Sequence, residues 1–414
     1  MEYRPRVLDG RLASALEAAG AVVIEGVKAS GKTETGRQAA RSEVRIDTVA
    51  SHQMMTVAPE LLLEGEPPLL LDEWQVEERL WNYVRHAVDD RQLPGQFILT
   101  GSALASDDPT RHPGAGRFIR LRMRPMTLAE VGYSTGDISF AAVLQGQGVR
   151  APQPGLTVPD IAERIVVGGW PAHLGLTASQ AQRLMSGYID DVSREDIQRV
   201  DGIRRDPDGV RRVITSLARN VATPATLELI TADAAGTDVS LKIDTVRTYY
   251  ASLKRLMIVD DVPAWKPGLR SRTRLRAASI RHLADPALAA AALRATPAML
   301  LHDLNTMGYL FESMVVRDLR VYAEAQEASV FHYRDELGLE VDAIVEMADG
   351  RWAGFEVKLG SSPEVCDVAA EHLLKLRDKV AGQPPIALGV ITATGFGFVR
   401  RDGVLQIPIG ALAP

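Results

Sequence analysis

The sequence predicts an α/β protein in three parts: a parallel-sheet domain near the N-terminus, a largely helical middle region and a second α/β unit at the C-terminus. In the first part, apolar runs alternate with helix-like segments, at 21–24, 69–71 and 97–99, which is typical of a parallel sheet. An interval rich in Gly, Pro and Gln near 144–159 predicts a linker. After a long helix that begins near Gly308, strand-like and helix-like segments recur, at 329–333, 339–346, 352–358, 364–380 and 386–391.

The length and composition indicate an ordinary globular protein of two or three domains. We expect these domains in 414 residues at 1–135, 160–295 and 300–414. A hydrophobic content of 46% is usual for globular chains, and no segment approaches the roughly 20 apolar residues of a membrane span. The first residues lack the apolar core of a secretory signal, and the single Cys366 leaves no intramolecular disulfide. We therefore expect a cytoplasmic protein with no membrane role.

A phosphate-binding loop is predicted directly after the first apolar run. The motif G-x-x-x-x-G-K-[ST] is matched by Gly26, Val27, Lys28, Ala29, Ser30, Gly31, Lys32 and Thr33. In such a turn, backbone N–H groups and the N-terminus of the next helix bind phosphate oxygens, while Lys32 reaches the terminal phosphates and Thr33 ligates Mg²⁺. We therefore predict ATP and Mg²⁺ as ligands; the alternative is a glycine turn that matches by chance.

Two further strand ends supply polar residues to the same predicted site. Asp72 and Glu73 follow the second apolar run, at the edge of the sheet where ligands of such folds bind. We predict that Asp72 holds the magnesium shell and that Glu73 activates the attacking water. Thr100 and Ser102 follow the third run, and either hydroxyl is a candidate sensor of the γ-phosphate. Solvated strand ends and a Ser/Gly turn are the alternatives.

Residues 21 to about 130 resemble the AAA+ superfamily, in particular its bacterial and archaeal branch, through LLLDEWQ at 69–75 and ILTGSA at 98–103. The resemblance implies that sensor 1 is Thr100 or Ser102 and that a neighbouring subunit completes the site, so we expect a homo-oligomer. Gly116-Arg117 and RPMTLAE at 124–130 resemble a further family segment, which implies Arg117 as an arginine finger acting across a subunit boundary. A solvated basic turn is the alternative, and other arginines lie close by, at positions 111, 120, 122 and 124.

The middle region is predicted to bind nucleic acid, with DNA as the expected partner. GGWP at 168–171 and YIDDV at 188–192 resemble elements of the same AAA+ proteins, in which a winged helix follows. Helix-like segments at 225–230 and 243–256 suit a helix-turn-helix, whose second helix would expose Lys242, Arg247 and Lys254. A basic ribbon would form the wing along a phosphate backbone, with Arg270, Arg272, Arg274 and Arg276 on one face. The net charge of −6 keeps open two alternatives: these arginines lie on a solvated edge strand, or they dock on an acidic surface elsewhere.

The C-terminal unit carries a second candidate site. Asp342, Glu356 and Lys358 lie on successive strand-like segments and can converge across a hairpin. This pattern resembles the PD-(D/E)XK nuclease superfamily, whose leading helix bears a glutamate, here Glu312, although Val341 replaces the usual proline. The resemblance implies that Glu312, Asp342 and Glu356 bind Mg²⁺ or Mn²⁺ and that Lys358 steadies or deprotonates the water that attacks a phosphodiester. The alternative is a nuclease fold that serves only for binding.

Together these features predict an AAA+ ATPase that couples Mg-ATP hydrolysis to nucleic-acid binding and to metal-dependent phosphodiester cleavage. One alternative is a nucleotide-dependent regulatory switch, or a DNA-binding ATPase with an inactive nuclease fold, acting on a protein partner. A third interpretation is an ATP-dependent toxin or defence effector.

Overall fold

Every residue of three N-terminal strands is buried, as expected for parallel strands covered by helices on both faces. The computed structural model describes residues 3–102, 114–200, 202–235, 241–265, 267 and 278–414. The N-terminal strands are β1 (Ala21–Gly26), β2 (Ser42–Arg45), β3 (Leu69–Asp72), β4 (Phe97–Gly101) and β5 (Phe118–Met123). The helices beside them are α1 (Val7–Ala18), α2 (Lys32–Ala39), α3 (Val49–Val57) and α4 (Leu80–Arg91), with short 3-10 helices at Pro59–Leu63 and Trp74–Glu77.

The strand order is β2-β3-β4-β1-β5, and all four pairings are parallel. The parallel sheet predicted from the apolar runs is therefore confirmed. Strand β4 lies between β1 and β3, so that Thr100 pairs with Ile24 on one side and with Asp72 on the other. This order brings the carboxyl ends of β1, β3 and β4 side by side, which is where the predicted nucleotide residues lie.

The middle region is helical, as predicted. A short β6 (Ile138–Ser139) and α5 (Phe140–Val143) lead into it, and its helices are α6 (Val158–Val167), α7 (Ala178–Asp191), α8 (Ile197–Arg199), α9 (Pro207–Arg219), α10 (Leu227–Ala235), α11 (Ile243–Arg255), α12 (Pro286–Ala292) and α13 (Pro297–His302). A 3-10 helix at Pro171–His173 precedes α7, and a π-helical turn at Val192–Asp196 joins α7 to α8.

After α11 the chain returns through two isolated antiparallel bridges, Val259 with Leu283 and Val262 with Ile280. The predicted wing arginines, Arg270, Arg272, Arg274 and Arg276, lie outside the described residues. Lys242, Arg247 and Lys254 are exposed around α11. The winged helix itself stays a prediction.

The C-terminal unit is a mixed sheet between helices. It contains α14 (Leu304–Ala325), β7 (Ser329–Arg334), β8 (Glu340–Glu346), β9 (Trp352–Lys358), α15 (Pro363–Lys379), β10 (Ala387–Thr392), β11 (Phe398–Val399), β12 (Leu405–Pro408) and β13 (Leu412–Ala413), with a 3-10 helix at Ile409–Ala411. The order is β11-β12-β10-β9-β8-β7. The pairs β7–β8, β8–β9 and β11–β12 are antiparallel, whereas β9–β10 and β10–β12 are parallel. Of the helices in the described part of the chain, none combines the length and hydrophobicity that a membrane span requires.

Buried ion pairs join the three parts. Arg124, directly after β5, contacts Asp260 at 2.7 Å and Glu324 of α14 at 2.6 Å, and Arg122 and Arg320 also reach Asp260, at 3.1 and 3.2 Å. Burial opposes the charge of Asp260, but the guanidinium groups of Arg124, Arg320 and Arg122 hold its pKa well below the usual value. Two of the arginines close to the predicted finger, Arg122 and Arg124, are therefore bound within a structural network.

A second buried cluster lies at the junction of all three parts. Arg317 of α14 contacts Asp285 at 2.5 Å and Asp318 at 2.6 Å. Asp318 accepts a hydrogen bond from the backbone N–H of Leu128, and Asp285 accepts one from Gly169. The long helix α14 thus holds the end of the N-terminal domain and the start of the middle region in fixed positions.

Acid should destabilise the fold through His282, which is buried beside the Asp260 network. Burial first, and then the charge of Arg320, lower the pKa of His282 to about 3, and its Nδ1 lies 3.2 Å from Ser313 Oγ. The unfolded histidine binds its proton near pH 6.5, so between about pH 6.5 and 3 the unfolded state carries more protons and stability falls as the pH falls. At its steepest, this loss should approach about 1.4 kcal/mol per pH unit.

Urea unfolding of the wild type and of His282→Gln between pH 7 and 5 measures this effect. The variant should lose less stability on acidification than the wild type, whereas His302→Gln, at an exposed position, should retain the wild-type dependence. Parallel pH profiles for the wild type and His282→Gln would contradict the assignment.

Candidate functional site

The turn between β1 and α2 has the backbone shape that its glycines predict. Ala29 and Gly31 have positive φ angles of 63° and 105°. A Cβ atom at Gly26 would lie 2.2 Å from the backbone oxygen of Met123 in β5, so only glycine fits where the two strands meet. Helix α2 starts at Lys32, directly after the turn, and its N-terminus therefore faces into the turn.

Lys32 is folded over this turn. Its Nζ donates hydrogen bonds of 2.9 Å to the carbonyl oxygens of Gly26 and Val27, and the residue is only 5% exposed. Burial lowers the pKa of Lys32 to about 8, against the opposing charges of Glu73 and Asp72. A cation held by carbonyl oxygens inside the turn can be redirected to phosphate oxygens at the same place.

Asp72 joins the ends of three elements. Its Oδ1 accepts hydrogen bonds from Thr33 Oγ1 of α2 at 2.8 Å and from Thr100 Oγ1 of β4 at 2.5 Å. Asp72 is 6% exposed and Thr100 is 1% exposed. The structure therefore brings together three residues that were predicted from separate motifs, and it presents a carboxylate and two hydroxyls, which are the hard oxygen ligands that Mg²⁺ prefers.

Glu73 lies beside this group in a left-handed conformation, with φ at 56°. Its carboxylate accepts a hydrogen bond from Ser102 Oγ at 3.2 Å and another from Gln75 Nε2. Ser102 thus contacts the predicted base, whereas Thr100 contacts the predicted metal ligand. Gln75 is part of LLLDEWQ, but the sequence does not predict that it holds Glu73, because a contact between residues two positions apart depends on the left-handed turn.

A cleft of about 650 Å³ opens beside the turn, within the range of about 300–1,000 Å³ that is usual for small-molecule sites. One part of its lining is polar and includes Lys28, Asp47, Glu73, Ser102, Asp196 and Arg199. Another part is apolar and includes Val76, Val192, Val200, Leu256 and Ile258. The middle region therefore supplies much of the wall of the site, including most of the apolar part.

The middle region also contacts the turn directly. The carbonyl oxygen of Lys28 accepts hydrogen bonds from Trp170 Nε1 at 3.2 Å and from Tyr188 OH at 3.4 Å, and Lys28 Nζ lies 3.2 Å from Asp196 Oδ1. Sequence reasoning did not assign these three partners to the nucleotide site. The motifs GGWP and YIDDV marked Trp170 and Tyr188 as notable, but nothing in them indicated the turn as their partner.

Arg6 is a further residue that sequence reasoning missed. Its guanidinium donates to the carbonyl oxygens of Ser30 and Arg124, each at 2.8 Å, and its Nε lies 3.0 Å from Glu130 Oε1. The end of the RPMTLAE segment is thereby tied to the turn. Ser30 and Val27 are buried, whereas Lys28 and Ala29 are exposed.

Arg117 does not approach the turn of its own chain. It precedes Phe118, which pairs with Ala21 at the start of β1, and the turn begins after Gly26, about 17 Å farther along the strand. Its Nε donates to Asp89 of α4. Its predicted action across a subunit boundary stays a prediction.

The second candidate site lies on the C-terminal sheet, where Asp342, Glu356 and Lys358 meet. Lys358 Nζ is 2.5 Å from Glu356 Oε2 and 3.3 Å from Asp342 Oδ2, and the backbone N–H of Val357 donates to Asp342. Burial and then the charge of Asp342 raise the pKa of Glu356, which is 2% exposed. Burial alone would lower the pKa of Lys358, but Asp342 and Glu356 outweigh it, so the ammonium form is favoured.

Glu312 and His372 flank this group. Burial and the negative charge of Asp342 raise the pKa of the half-buried Glu312 on α14. His372 on α15, which was not predicted as a site residue, places Nδ1 3.6 Å from Glu356 Oε1. Among the described residues, no three His, Cys, Asp or Glu side chains are grouped as a metal site, so the predicted set of three carboxylates is not assembled here.

The remaining predicted nucleic-acid residue within the described chain is Arg247. It is exposed on α11 and pairs with Asp244 at 2.5 Å, one helical turn before it. Pairs of this kind contribute little to stability and break readily in favour of another anion.

Three family profiles match successive parts of the chain. Residues 18–132 match an AAA domain, residues 158–298 match a domain of unknown function (DUF8612), and residues 307–412 match another domain of unknown function (DUF4143). The first match covers the sheet and the turn described above, so the N-terminal domain is a P-loop ATPase domain of the AAA type.

Among solved structures, a Walker-type ATPase of Pyrococcus abyssi matches at 13% sequence identity with a TM-score of 0.42, covering 70% of this chain and 99% of that chain. Among curated protein sequences, none is similar enough to this chain to count as a match.

Proposed function

We propose that the chain hydrolyses Mg-ATP in its N-terminal domain and couples this reaction to nucleic-acid binding and to metal-dependent phosphodiester cleavage by its C-terminal unit. The proposed cleavage step is supported by the contact between Asp342, Glu356 and Lys358. The Lys358 amine lies within 3.3 Å of both carboxylates. Opposed charges at a buried sheet position are costly unless they serve binding or catalysis. By contrast, the ion pair of Arg334 with Glu340 on the same sheet has both side chains about half exposed to solvent, so it carries little such cost.

ATP would bind with its phosphates in the turn that Lys32 now fills and with its base against the apolar part of the cleft. Thr33 and Asp72 fit Mg²⁺, because a hydroxyl and a carboxylate oxygen already lie 2.8 Å apart. Bound there, Mg²⁺ would neutralise charge on the phosphates. Glu73, held by Ser102 and Gln75, would accept the proton of the attacking water.

Asp342 and Glu356 would hold Mg²⁺ or Mn²⁺ in the C-terminal unit. A pair of carboxylates is sufficient, because Mg²⁺ usually retains water and takes further oxygens from a substrate phosphate. The ion would stabilise negative charge on the phosphate and would lower the pKa of the water bound to it. Lys358, released from the carboxylates, would orient the water or stabilise negative charge on the phosphate. Glu312 would be a further carboxylate close to Asp342 and Glu356.

Coupling between the sites would pass through the middle region. Trp170, Tyr188 and Asp196 touch the turn, and the same region carries Arg247 and the predicted wing arginines. Because Arg117 is about 17 Å from the turn of its own chain, we also propose a homo-oligomer in which Arg117 acts on a neighbour. The expected nucleic acid is DNA.

Incubating the purified chain with single-stranded, duplex and flapped DNA and Mn²⁺, with and without ATP, tests the proposal. We expect cleavage of at least one DNA form that chelation of the metal abolishes, and ATP turnover that DNA increases. Absence of cleavage for every form would exclude the nuclease part, and ATP turnover that is indifferent to DNA would exclude the coupling.

The second candidate function is a nucleotide-dependent switch acting on a protein partner. The ion pairs of Lys358 favour it, since the amine neutralises both carboxylates and no three-ligand metal group is present among the described residues. In that case ATP turnover should be insensitive to DNA, and a defined protein should bind in one nucleotide state only.

Asp196→Asn should increase the affinity for Mg-ATP by about three- to tenfold at low salt. Asp196 neutralises Lys28 at the cleft and its own charge repels phosphate, so removing that charge favours the nucleotide electrostatically. Calorimetric titration at two salt concentrations measures the effect, which should shrink as salt rises. Asp191→Asn, at an exposed position of α7, should leave the affinity unchanged, and an unchanged affinity in Asp196→Asn would contradict this role of the pair.

A further inference from the structure

A cavity of about 640 Å³ lies at the edge of the C-terminal sheet, beside the outermost strand β7. It is bounded by the start of β7, the turn from β8 to β9 and the residues that follow α15. Three charged side chains line it, and all three are acidic: Glu327, Glu346 and Asp349. The lining residues that the structure describes include no Lys, Arg or His, so the cavity favours a cationic ligand.

The carboxylates of this cavity can accept a further cation. Glu327 is exposed, and no described side chain forms an ion pair or hydrogen bond with its carboxylate. Asp349 contacts Arg351 at 2.6 Å, but both side chains are about half exposed to water. An ion pair that water reaches contributes little and exchanges readily for another partner.

Aromatic residues in the same cavity make arginine a better fit than lysine. Phe331 is half-buried, and Trp265 and Trp352 are buried against one another, with ring centroids 4.9 Å apart. A guanidinium group is planar and weakly hydrated, so it can stack on an aromatic ring while it pairs with a carboxylate. An ammonium group is a compact and strongly hydrated charge that lacks such a face.

The chain enters and leaves the segment 268–277 beside this cavity. The segment contains no acidic residue and carries four arginines, Arg270, Arg272, Arg274 and Arg276. Before it, Pro267 lines the cavity, and the backbone N–H of Trp265 donates to the carbonyl oxygen of His332 in β7 at 2.6 Å. After it, the carbonyl oxygen of Ala278 accepts a hydrogen bond from His332 Nε2 at 3.0 Å. One residue of β7 thus holds the chain on both sides of the segment.

This tethering makes the segment the strongest competitor for the cavity. Arg270 lies three residues after Pro267, which an extended chain covers in about 10 Å, and Arg276 lies only two residues before Ala278. A ligand tethered by so short a linker has an effective concentration in the millimolar range. A cationic ligand in solution would have to exceed that concentration or bind more tightly.

We propose that the cavity beside β7 is a binding site for arginine side chains and that, in the absence of nucleic acid, its occupant is the chain's own segment 268–277. The consequence for regulation rests on the proposed function, in which the same four arginines contact nucleic-acid phosphates. An arginine cannot pair with the cavity and with a phosphate at once. The acidic cavity therefore lowers the affinity of the chain for nucleic acid.

Limited digestion of the full chain with trypsin, followed by mass spectrometry of the fragments, tests whether the arginines are bound. The double variant Glu327→Gln with Asp349→Asn should be cut within 268–277 about three- to tenfold faster than the wild type, because cleavage follows the unbound fraction. Glu336→Gln removes an exposed carboxylate from the turn after β7 and should be cut at the wild-type rate. Equal rates in the double variant and the wild type would overturn the assignment.

A labelled synthetic peptide of residues 268–278 identifies the occupant by fluorescence anisotropy. It should bind at least about tenfold more tightly to a fourfold variant of the full chain than to the wild type, because the tethered competitor is then absent. The fourfold variant carries Arg270→Gln, Arg272→Gln, Arg274→Gln and Arg276→Gln. Equal binding to both chains would show that the segment does not occupy the cavity, and binding to neither would show that the cavity does not bind arginine.

Anisotropy of a labelled DNA duplex in EDTA at low salt separates this inference from the proposed function. The double variant should bind DNA about two- to fivefold more tightly than the wild type and than Glu336→Gln, which controls for the loss of surface charge. If the digestion and peptide results are as expected but no form of the chain binds DNA, the arginine site stands and the nucleic-acid proposal fails. If DNA binds equally to the double variant and the wild type, the regulatory consequence is overturned.

Discussion

Replacing Lys32 with alanine should reduce ATP turnover by at least about a hundredfold, as expected when a preorganised cation at a transferring phosphate is lost. Lys32 is the lysine of the turn that points inward, with its amine on the carbonyl oxygens of Gly26 and Val27. Alanine cannot replace that charge on the terminal phosphates. Steady-state phosphate release, together with binding of a fluorescent ATP analogue, separates lost affinity from lost catalysis.

Lys28→Ala is the matched control, since Lys28 belongs to the same turn but is exposed and paired with Asp196. We expect its turnover to change by less than about tenfold, because the Lys28 side chain is half exposed to water, and an ion pair that water reaches contributes about 1 kcal/mol or less. Similar turnover in Lys32→Ala and the wild type would mean that the turn does not bind the phosphates of ATP. Such a result would remove the basis of the ATPase assignment for this chain.

The residues of the nucleotide site that lie in short local motifs were predictable from the sequence. The turn from Gly26 to Thr33 follows a fixed spacing, and Asp72 and Thr100 each end an apolar run. Parallel strands place their carboxyl ends on one edge, so three separate motifs were enough to predict that Thr33, Asp72 and Thr100 come together. The structure confirms that meeting through the two hydrogen bonds to Asp72.

The contacts that depend on packing between distant segments could not be predicted. Lys28 and Tyr188 are 160 positions apart, and their contact depends on how α7 docks against the sheet. The same limit applies to Arg124, which lies at the other end of β5 from the predicted finger Arg117 and is bound by Asp260, 136 positions away. A sequence pattern identifies a charged residue but does not reveal which buried partner it will have.

In the C-terminal unit, some features were predictable from the sequence and others were not. The period-two spacing of Glu356 and Lys358 correctly predicted that they share a face and meet Asp342. The short strands β11 and β13 were not predicted, since two-residue strands lack any usable periodicity. Strand β13 pairs with β6, so the end of the C-terminal unit is joined to the segment that follows the N-terminal domain.

This connectivity makes separation of the three parts costly. Arg317, Arg124 and β13 each link the C-terminal unit to earlier parts of the chain. Removing one partner of a buried pair leaves a charge uncompensated, which costs about 3–5 kcal/mol. A movement caused by ATP is therefore expected at the weaker contacts around Lys28, whose side chain is half exposed, rather than at these buried clusters.

Lys358→Ala should reduce phosphodiester cleavage by at least about a hundredfold, because the amine is the cation that would orient water or stabilise charge at the phosphate. The predicted nucleic-acid residue Arg247 lies on α11 in the middle region and is unchanged in this variant, so single-stranded DNA should still bind. Gel analysis of a labelled strand with Mn²⁺ measures cleavage, and anisotropy in EDTA measures binding on the same preparations. ATP turnover without DNA should be unchanged, since Lys358 lies far from the turn in the chain and in a different sheet.

Two control variants test whether the loss of cleavage is specific to Lys358. Lys375→Ala removes an exposed lysine of α15 that is paired with Glu371, so it should cleave as the wild type does. Lys32→Ala should retain basal cleavage while losing ATP turnover, because its change is confined to the N-terminal domain. Wild-type cleavage in Lys358→Ala would indicate that another site, or a contaminant, breaks the strand. Loss of cleavage in Lys375→Ala would instead show that the assay responds to surface charge alone.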